Sequence, residues 1–307
     1  MIPAFDERKK LIGQRKFNQV LEYSHNRGSV LDIGCGVGEV IDVFKDNNWD
    51  CHAIEFNPGA VAWLNKKGIN VSNIHFNEYN SGMQFDVIMA NPPYSVKKWD
   101  QVKFSDDPFG RNIWGTPPKG CADYAFQQHI IKSLKPDNGR SVTLWPHGVL
   151  FRNSEAEMRK QMIEADLVDA VIGLGKNLFY NSSMESCLLV CNMNKPKNRK
   201  RKVIFIDGKD EIRLERSAAY LKDEHIKRIS DAYWNFKDEN GFSAVVKSKD
   251  ILKDNNGNLS IQLYVKSEKT DSNHSVETFP VFLIFIAYTK LSNAKPTSIE
   301  LNQQNLC

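Results

Sequence analysis

No stretch of this 307-residue chain is apolar for long enough to cross a bilayer. The run from Phe279 to Tyr288 falls well short of the ~18–20 residues that a spanning helix needs. The segment Met1 to Lys10, which carries Asp6, Glu7, Arg8, Lys9 and Lys10, has no apolar core of a secretion signal. A cytoplasmic protein with no membrane contact is expected. Cysteine is sparse: the six, at positions 35, 51, 121, 187, 191 and 307, form no Cys-x-x-Cys pair. Cys187 and Cys191 lie in an apolar strand-like run where successive ligands would not converge, so reduced thiols and no metal are expected. Neither sign of charge dominates. A net charge of +4 and a pI near 8.6 permit nucleic-acid binding without requiring it. Internal repeats and low-complexity segments are also missing, and 41% hydrophobic residues suffice for a sizeable core in one or two domains.

What is present has a regular order. Strand-like runs at 29–33, 51–55, 71–76, 85–90, 141–145, 168–173, 186–193 and 203–206 alternate at first with helical stretches at 38–47, 58–67, 122–134 and 154–165. That alternation predicts an α/β protein whose mostly parallel sheet is covered on both faces. The last two runs follow each other without a helix, which suggests an antiparallel hairpin at one edge. Beyond 210 the pattern turns polar, with a helical stretch near 223–237 and a turn at 255–258. A catalytic domain over 1–210 and a C-terminal extension over 211–307 are expected.

Asn91-Pro92-Pro93-Tyr94 follows the apolar run 85–90 directly, at the carboxyl end of an expected buried strand, where open α/β sheets build their sites. An exocyclic amine such as adenine N6 is a poor nucleophile because its lone pair is delocalised into the ring. An Asn carbonyl and a backbone carbonyl that accept its two N–H bonds can localise that pair, and two prolines fix the turn so that both acceptors face one spot. Tyr94 can lie against a planar base taken out of its stack. A plain Asn-Pro-Pro turn leaving a strand is the alternative.

Upstream, Asp32-Ile33-Gly34-Cys35-Gly36-Val37-Gly38 reads as a strand end and a glycine turn opening a helix, with Gly34, Gly36 and Gly38 allowing close approach to a ligand. A second strand ends in Glu55, at the spacing from which a carboxylate takes ribose hydroxyls. A third glycine in dinucleotide phasing is absent. The order of glycine loop, ribose acid and Asn-Pro-Pro-Tyr turn fits S-adenosylmethionine better than a dinucleotide, although strand-end acids such as Asp32 and Glu55 also serve as helix caps.

These motifs in this order resemble N6-adenine DNA methyltransferases. The segments Pro117 to Phe126, Pro146 to Arg152 and Asn177 to Tyr180 resemble in particular the methylation subunit of type I restriction-modification systems. The likeness continues through Asp231 to Phe236 and Asn258 to Val265. It implies the class I S-adenosylmethionine-dependent methyltransferase fold, Rossmann-like, with a glycine loop for the cofactor and a turn at Asn91, Pro92, Pro93 and Tyr94 for the target adenine. It also implies DNA as substrate, a separate specificity subunit that reads the bases, and an attached restriction subunit. Asn77 falls where the fold contacts the cofactor adenine, and Phe179 or Tyr180 where the family places an aromatic on the other side of the base; adjacent side chains diverge, so core packing is expected for at least one of that pair. The chain departs from the family pattern in reaching its glycine loop at Gly34 with no long helical domain before it. It also lacks a clear version of the segment that closes the methionine pocket, and its tail after Lys266 does not resemble the family. A methyltransferase acting on an RNA base or a protein glutamine, and a catalytically inactive assembly subunit, remain as alternatives.

Three further features stay open at this level. Lys195 to Lys202 holds six cations between two apolar runs, readable as a solvated hairpin tip or as a DNA phosphate contact. The stretch Ser95 to Gly120, with Trp99, Phe104, Phe109 and Trp114, is long enough to be functional, and its Arg111 and Lys119 are candidate phosphate contacts. His147 is expected to be scaffold, since methyl transfer to an amine needs no base until the new bond has formed.

Overall fold

In the computed structural model the strands are β1 (Ser29–Ile33), β2 (Asp50–Ile54), β3 (Asn70–Ser72), β4 (Val87–Ala90), β5 (Arg140–Pro146), β6 (Val168–Leu174), β7 (Ser186–Asn192), β8 (Lys202–Gly208), β9 (Arg213–Glu215), β10 (Ala218–Tyr220) and β11 (Ser243–Lys247). The structure describes residues 5–21, 28–55, 57–73, 84–178, 184–215 and 218–266. Asn77, Phe179, Tyr180 and the tail from 267 lie outside the described residues. The helices are α1 (Phe5–Arg8), continued by a π turn (Lys9–Gly13) into α2 (Gln14–Leu21), then α3 (Ile41–Asp46), α4 (Pro58–Lys66), α5 (Gln101–Ser105), α6 (Asp123–Lys132), α7 (Ala156–Glu164), α8 (Asp223–Asn235) and α9 (Ser248–Asn255). Among the described residues no helix is long and apolar enough to cross a membrane.

Nine strands form one sheet in the order β11-β8-β6-β7-β5-β4-β1-β2-β3. The pairs β3/β2, β2/β1, β1/β4, β4/β5 and β6/β8 are parallel, whereas β7 runs antiparallel to both neighbours and β11 is antiparallel to β8. Successive strand residues point to opposite faces, and the two faces carry different cores. Leu31, Ile54, Val203 and Phe205 join the large core with α6 and α7, while their neighbours Val30 and Ala53 pack with α3 and α4, and Ile204 and Ile206 with α8. The expected two-faced α/β architecture follows directly from that alternation.

The edge hairpin does not form as expected. β7 and β8 are adjacent in sequence but not in the sheet, because β6 lies between them. The physical reason is burial. Every residue of β6 is buried and so are most of β7 and β8, so each strand needs a neighbour on both sides, and hairpin pairing would leave β6 without one. The antiparallel edge is supplied by β11, from the polar region past 210. That region also contributes Ile251, Leu259, Ile261 and Val265 to the large core, and Tyr264 stacks on Phe205 at 4.1 Å between ring centroids.

The N-terminal helices, not anticipated from the sequence, dock by aromatic contact. Phe17 meets Phe44 edge-on at 5.0 Å and Trp49 at 6.5 Å.

Candidate active site

Strand pairing decides where the glycine loop and the Asn-Pro-Pro-Tyr turn meet. Ile33 of β1 pairs with Ala90 of β4, so Gly34 and Asn91 leave neighbouring parallel strands side by side at their carboxyl ends. A Cβ placed on Gly34 would stand 3.7 Å from the Asn91 carbonyl oxygen.

The glycine loop is held from behind by Glu55. One carboxylate oxygen accepts the Gly36 N–H at 2.8 Å and the other the Asn57 N–H at 2.8 Å. Asn57 then caps α4 through its own side chain, which accepts from Gly59 and Ala60. Glu55 is buried, and each of its oxygens retains acceptor capacity beyond these bonds. Gly36 has φ +57° and open space where a side chain would be, as a ligand cradle requires. Gly38 differs: at φ +80° a Cβ would lie 2.3 Å from Leu64 Cδ2, so this glycine lets the loop close onto α4. Asp32, at the end of β1, has its pKa raised from 3.8 to about 6, chiefly by burial; Lys16 opposes the rise, and Glu39 and Glu55 add to it.

In the second turn Pro92 is buried, Asn91 and Pro93 are exposed, and Tyr94 is half-buried. The Tyr94 hydroxyl donates to Asn91 Oδ1 at 2.6 Å, and its ring rests on the buried Trp145 at 6.3 Å between centroids. Trp145 is itself fixed by donating from Nε1 to Gln127 Oε1 at 2.9 Å. Burial raises the Tyr94 pKa to about 12, so its hydroxyl stays a donor at neutral pH.

The stretch after the turn is pinned to α6. Gln128, fully buried, accepts the Trp114 N–H at 2.6 Å and donates to the Gly115 carbonyl at 2.9 Å, and Gln101 donates to the Pro117 carbonyl at 2.7 Å. Arg111 is buried against Asp107, whose carboxylate accepts from its backbone and Nε, so its charge is committed within the stretch and does not face a phosphate. Lys119 is exposed. His147 donates through Nε2 to the Ser186 carbonyl at 3.0 Å, tying the end of β5 to β7.

Three of the six cations in the basic run are bonded into the fold. Lys195 Nζ is buried and donates to the Val168 and Lys202 carbonyls at 2.7 Å each, beside Asp166 at 2.7 Å. Arg199 is buried on Asp169 at 3.1 Å, donates to the Tyr233 carbonyl at 2.6 Å, and lies over the rings of Tyr233 and Phe236. Arg201 caps the end of α7 by donating to the Glu164 carbonyl at 2.6 Å. The segment is not a hairpin tip: it crosses from β7 over β6 to β8.

The motifs give Asp123, Arg152 and Glu155 no role of their own. The structure gathers them, with Cys121, directly behind the Asn91 turn. Cys121 Sγ and the two buried carboxylates lie within 4.8 Å of one another, and the Arg152 guanidinium supplies the positive charge between the acids. Asp123 is the one acid in the run Cys121 to Phe126, a signal that could have found it, whereas Arg152 and Glu155 sit in the polar stretch Arg152-Asn153-Ser154-Glu155, which carries none.

With this geometry in place the likeness to known proteins can be read. The N-6 DNA methylase family matches residues 62–273, and a methyltransferase domain matches 6–99. The chain belongs to the N-6 DNA methylase family. It is 34% identical over 276 residues to the type I restriction enzyme MjaVIII methylase subunit of Methanocaldococcus jannaschii, covering 88% of this chain and 46% of that protein. It is 33% identical over 245 residues to the HindI methylase subunit of Haemophilus influenzae, covering 71% of this chain and 52% of that protein. The chain thus spans about half the length of these curated relatives. Among solved structures, the type I restriction-modification methyltransferase subunit of Streptococcus thermophilus matches with a TM-score of 0.72 and 29% identity over 84% of this chain and 58% of that one. The EcoKI M protein, at 16% identity and a TM-score of 0.58 over 80% of this chain and 63% of that one, shares the fold. The fold is the class I methyltransferase fold, and the resemblance read from the motifs is borne out.

Proposed function

We propose that this N-6 DNA methylase transfers a methyl group from S-adenosylmethionine to the N6 amine of adenine in DNA. It would serve as the modification subunit of a type I restriction-modification system, beside a specificity subunit that reads sequence and a restriction subunit. The observation that carries the reading is the approach of Gly34 to the Asn91 carbonyl, which sets the cofactor loop and the amine-binding turn against each other.

The residues present fit the cofactor: Gly36 is an open cradle, Gly34 admits close approach, and Asp32 and Glu55 place two acids beside the loop. When bound, S-adenosylmethionine supplies an electrophilic methyl on its sulfonium. Gly34 and Gly36 admit its methionine end, and Gly38 closes the loop on α4. Asp32 orders the loop, and Glu55 takes the ribose hydroxyls with its remaining acceptor capacity. Asn91 Oδ1 and the Pro92 carbonyl accept the two N6–H bonds, which localises the nitrogen lone pair and aims it in line with the methyl. Tyr94, backed by Trp145, stacks on the extruded base. Positioning of this kind supplies most of the rate enhancement, and the extra proton leaves N6 after the bond has formed. Asn77 for the cofactor adenine, and Phe179 or Tyr180 for the far side of the base, complete the proposed site.

Asn91→Ala tests the reading, because it should abolish methyl transfer and leave cofactor affinity intact. The assay is methyl incorporation from labelled cofactor into defined duplexes, with and without a specificity subunit, alongside calorimetry of cofactor binding. Site-specific labelling is expected only with the partner. Fixed-sequence methylation by the chain alone would overturn the type I assignment, labelling of RNA or protein with none in DNA would redirect the substrate, and failure to bind the cofactor would leave an assembly subunit.

A further inference from the structure

The turn that presents Asn91 ends in a strained residue, and what restrains it is a buried carboxylate on another element. Ser95 follows Tyr94 directly and has φ +48°, a left-handed conformation that costs an L residue roughly 1–2 kcal/mol and persists only when its surroundings hold it. Its N–H donates at 2.7 Å to Oδ1 of Asp123, the first residue of α6. Asp123 is fully buried, and α6 is rooted in the large core through Tyr124, Phe126, Ile130 and Ile131. The other Asp123 oxygen accepts from the Arg152 guanidinium, which reaches Ser95 Oγ at 3.4 Å and stands with its Nε 2.8 Å from the buried Glu155. Cys121 Sγ fills the corner at 3.4 Å from Asp123 and 3.3 Å from Glu155.

We propose that Asp123, braced by Arg152, is a positioning residue that fixes the Ser95 peptide and thereby sets where Asn91 and Tyr94 meet the target amine. The proposal rests on the adenine-methylation reading for its kinetic consequence, and on the Ser95 contact alone for its geometry. Stability alone is a weak reason for the ion pair. Buried pairs roughly break even against apolar residues of the same volume, whereas this one closes on the single peptide bond that leaves the turn. A rigid anchor matters there because a displacement of about 1 Å at a reacting centre can cost about 100-fold in rate.

The test uses the full chain, assembled with its specificity subunit for the kinetic arm, and two variants. Asp123→Ala removes the acceptor; Arg152→Lys keeps a cation against the buried acids but loses the planar fork, and serves if the first variant does not fold. We expect the single-turnover methylation rate to fall about 10- to 100-fold in Asp123→Ala and less in Arg152→Lys. Calorimetric cofactor affinity and KM for DNA should stay within about twofold, a split that a general loss of fold would not give. Hydrogen exchange at the Ser95 amide should accelerate at least about tenfold in Asp123→Ala, as loss of a charge-assisted bond predicts. A folded Asp123→Ala protein with a wild-type rate, or with unchanged Ser95 exchange, overturns the proposal, and so does loss of cofactor affinity together with rate. Wild-type protein that labels no adenine would instead defeat the methylation reading, and Ser95 exchange would then decide the positioning contact by itself.

Discussion

On the proposed function, the acceptor that the target amine requires, Asn91 Oδ1, is already occupied in this structure. Tyr94 donates its hydroxyl to Asn91 Oδ1 at 2.6 Å, so a base entering the turn has to displace or share that bond while the Tyr94 ring becomes its stacking face. A neutral hydrogen bond at a partly solvated site contributes about 0.5–1.5 kcal/mol net. Tyr94→Phe removes the competitor and keeps the ring on Trp145, so base engagement should tighten by about two- to twelvefold, at about 1.4 kcal/mol per factor of ten. Tyr94→Ala removes the face as well, and base–aromatic stacking is worth about 1–3 kcal/mol, so engagement should weaken by about 5- to 150-fold. The assay is fluorescence titration of duplexes carrying 2-aminopurine at the target position, followed by single-turnover methyl transfer on the natural base. If Tyr94→Phe proves as inactive as Asn91→Ala, the hydroxyl takes part in the transfer and the competition argument fails.

The other expectations address the loop and the basic run. Glu55→Ala should weaken cofactor binding by about 1.5–3 kcal/mol, the worth of hydrogen bonds to a charged group, and unchanged calorimetric affinity would place the ribose elsewhere. Asp32 has a folded pKa near 6 against an ordinary 3.8, so the stability available at this position is complete below pH 3.8 and is lost as pH rises through about 6. Asp32→Asn should therefore be more stable than wild type by about 2–3 kcal/mol in denaturant unfolding at pH 8, with the difference vanishing by pH 4; equal stability at both pH values would refute it. Arg199→Met should cost about 3–5 kcal/mol by leaving Asp169 buried without its ion pair, and the salt dependence of DNA binding should not change; a shallower salt slope with stability kept would mark Arg199 as a phosphate contact.

The parts of the fold legible in the sequence were those set by local chemistry. Apolar runs bounded by turns located β1, β2 and β5 to β8, and glycine or Asn-Pro punctuation located the two ligand turns, because left-handed φ and fixed proline φ leave few alternatives there. Pairing order was not legible. β7 and β8 read as a hairpin because only a short connection separates them, and nothing local records that β6 must be covered on both sides. Long-range partners were equally invisible. Arg199 looks like a free surface cation until Asp169 is brought to it. Glu55 was legible as an acid beside the loop, but its hold on the Gly36 and Asn57 amides depends on a loop path that spacing alone does not give.

The fate of the basic run bears on how the duplex is engaged. Of its six cations, Lys195, Arg199 and Arg201 are bonded into strand and helix ends, so half of the segment's charge serves to hold β6, α7 and α8 together, while Lys197 and Lys200 are exposed. Phosphate contacts position a protein on DNA, and the fall of affinity with salt grows steeper with their number. Parallel β1 and β4 place the glycine loop and the Asn91 turn at the carboxyl ends of their strands. The run instead joins β7 to the start of β8, which is parallel to β6 and, through antiparallel β7, to β5 and β4, so that start lies at the opposite, amino end of the strands. On the proposed function, a duplex that delivers an adenine to Asn91 approaches the end away from Lys195 and Arg199, and its orientation would come from the surroundings of the turn or from another chain. This separation of the proposed chemical centre from the basic run is one physical argument for the proposed dependence on a specificity subunit.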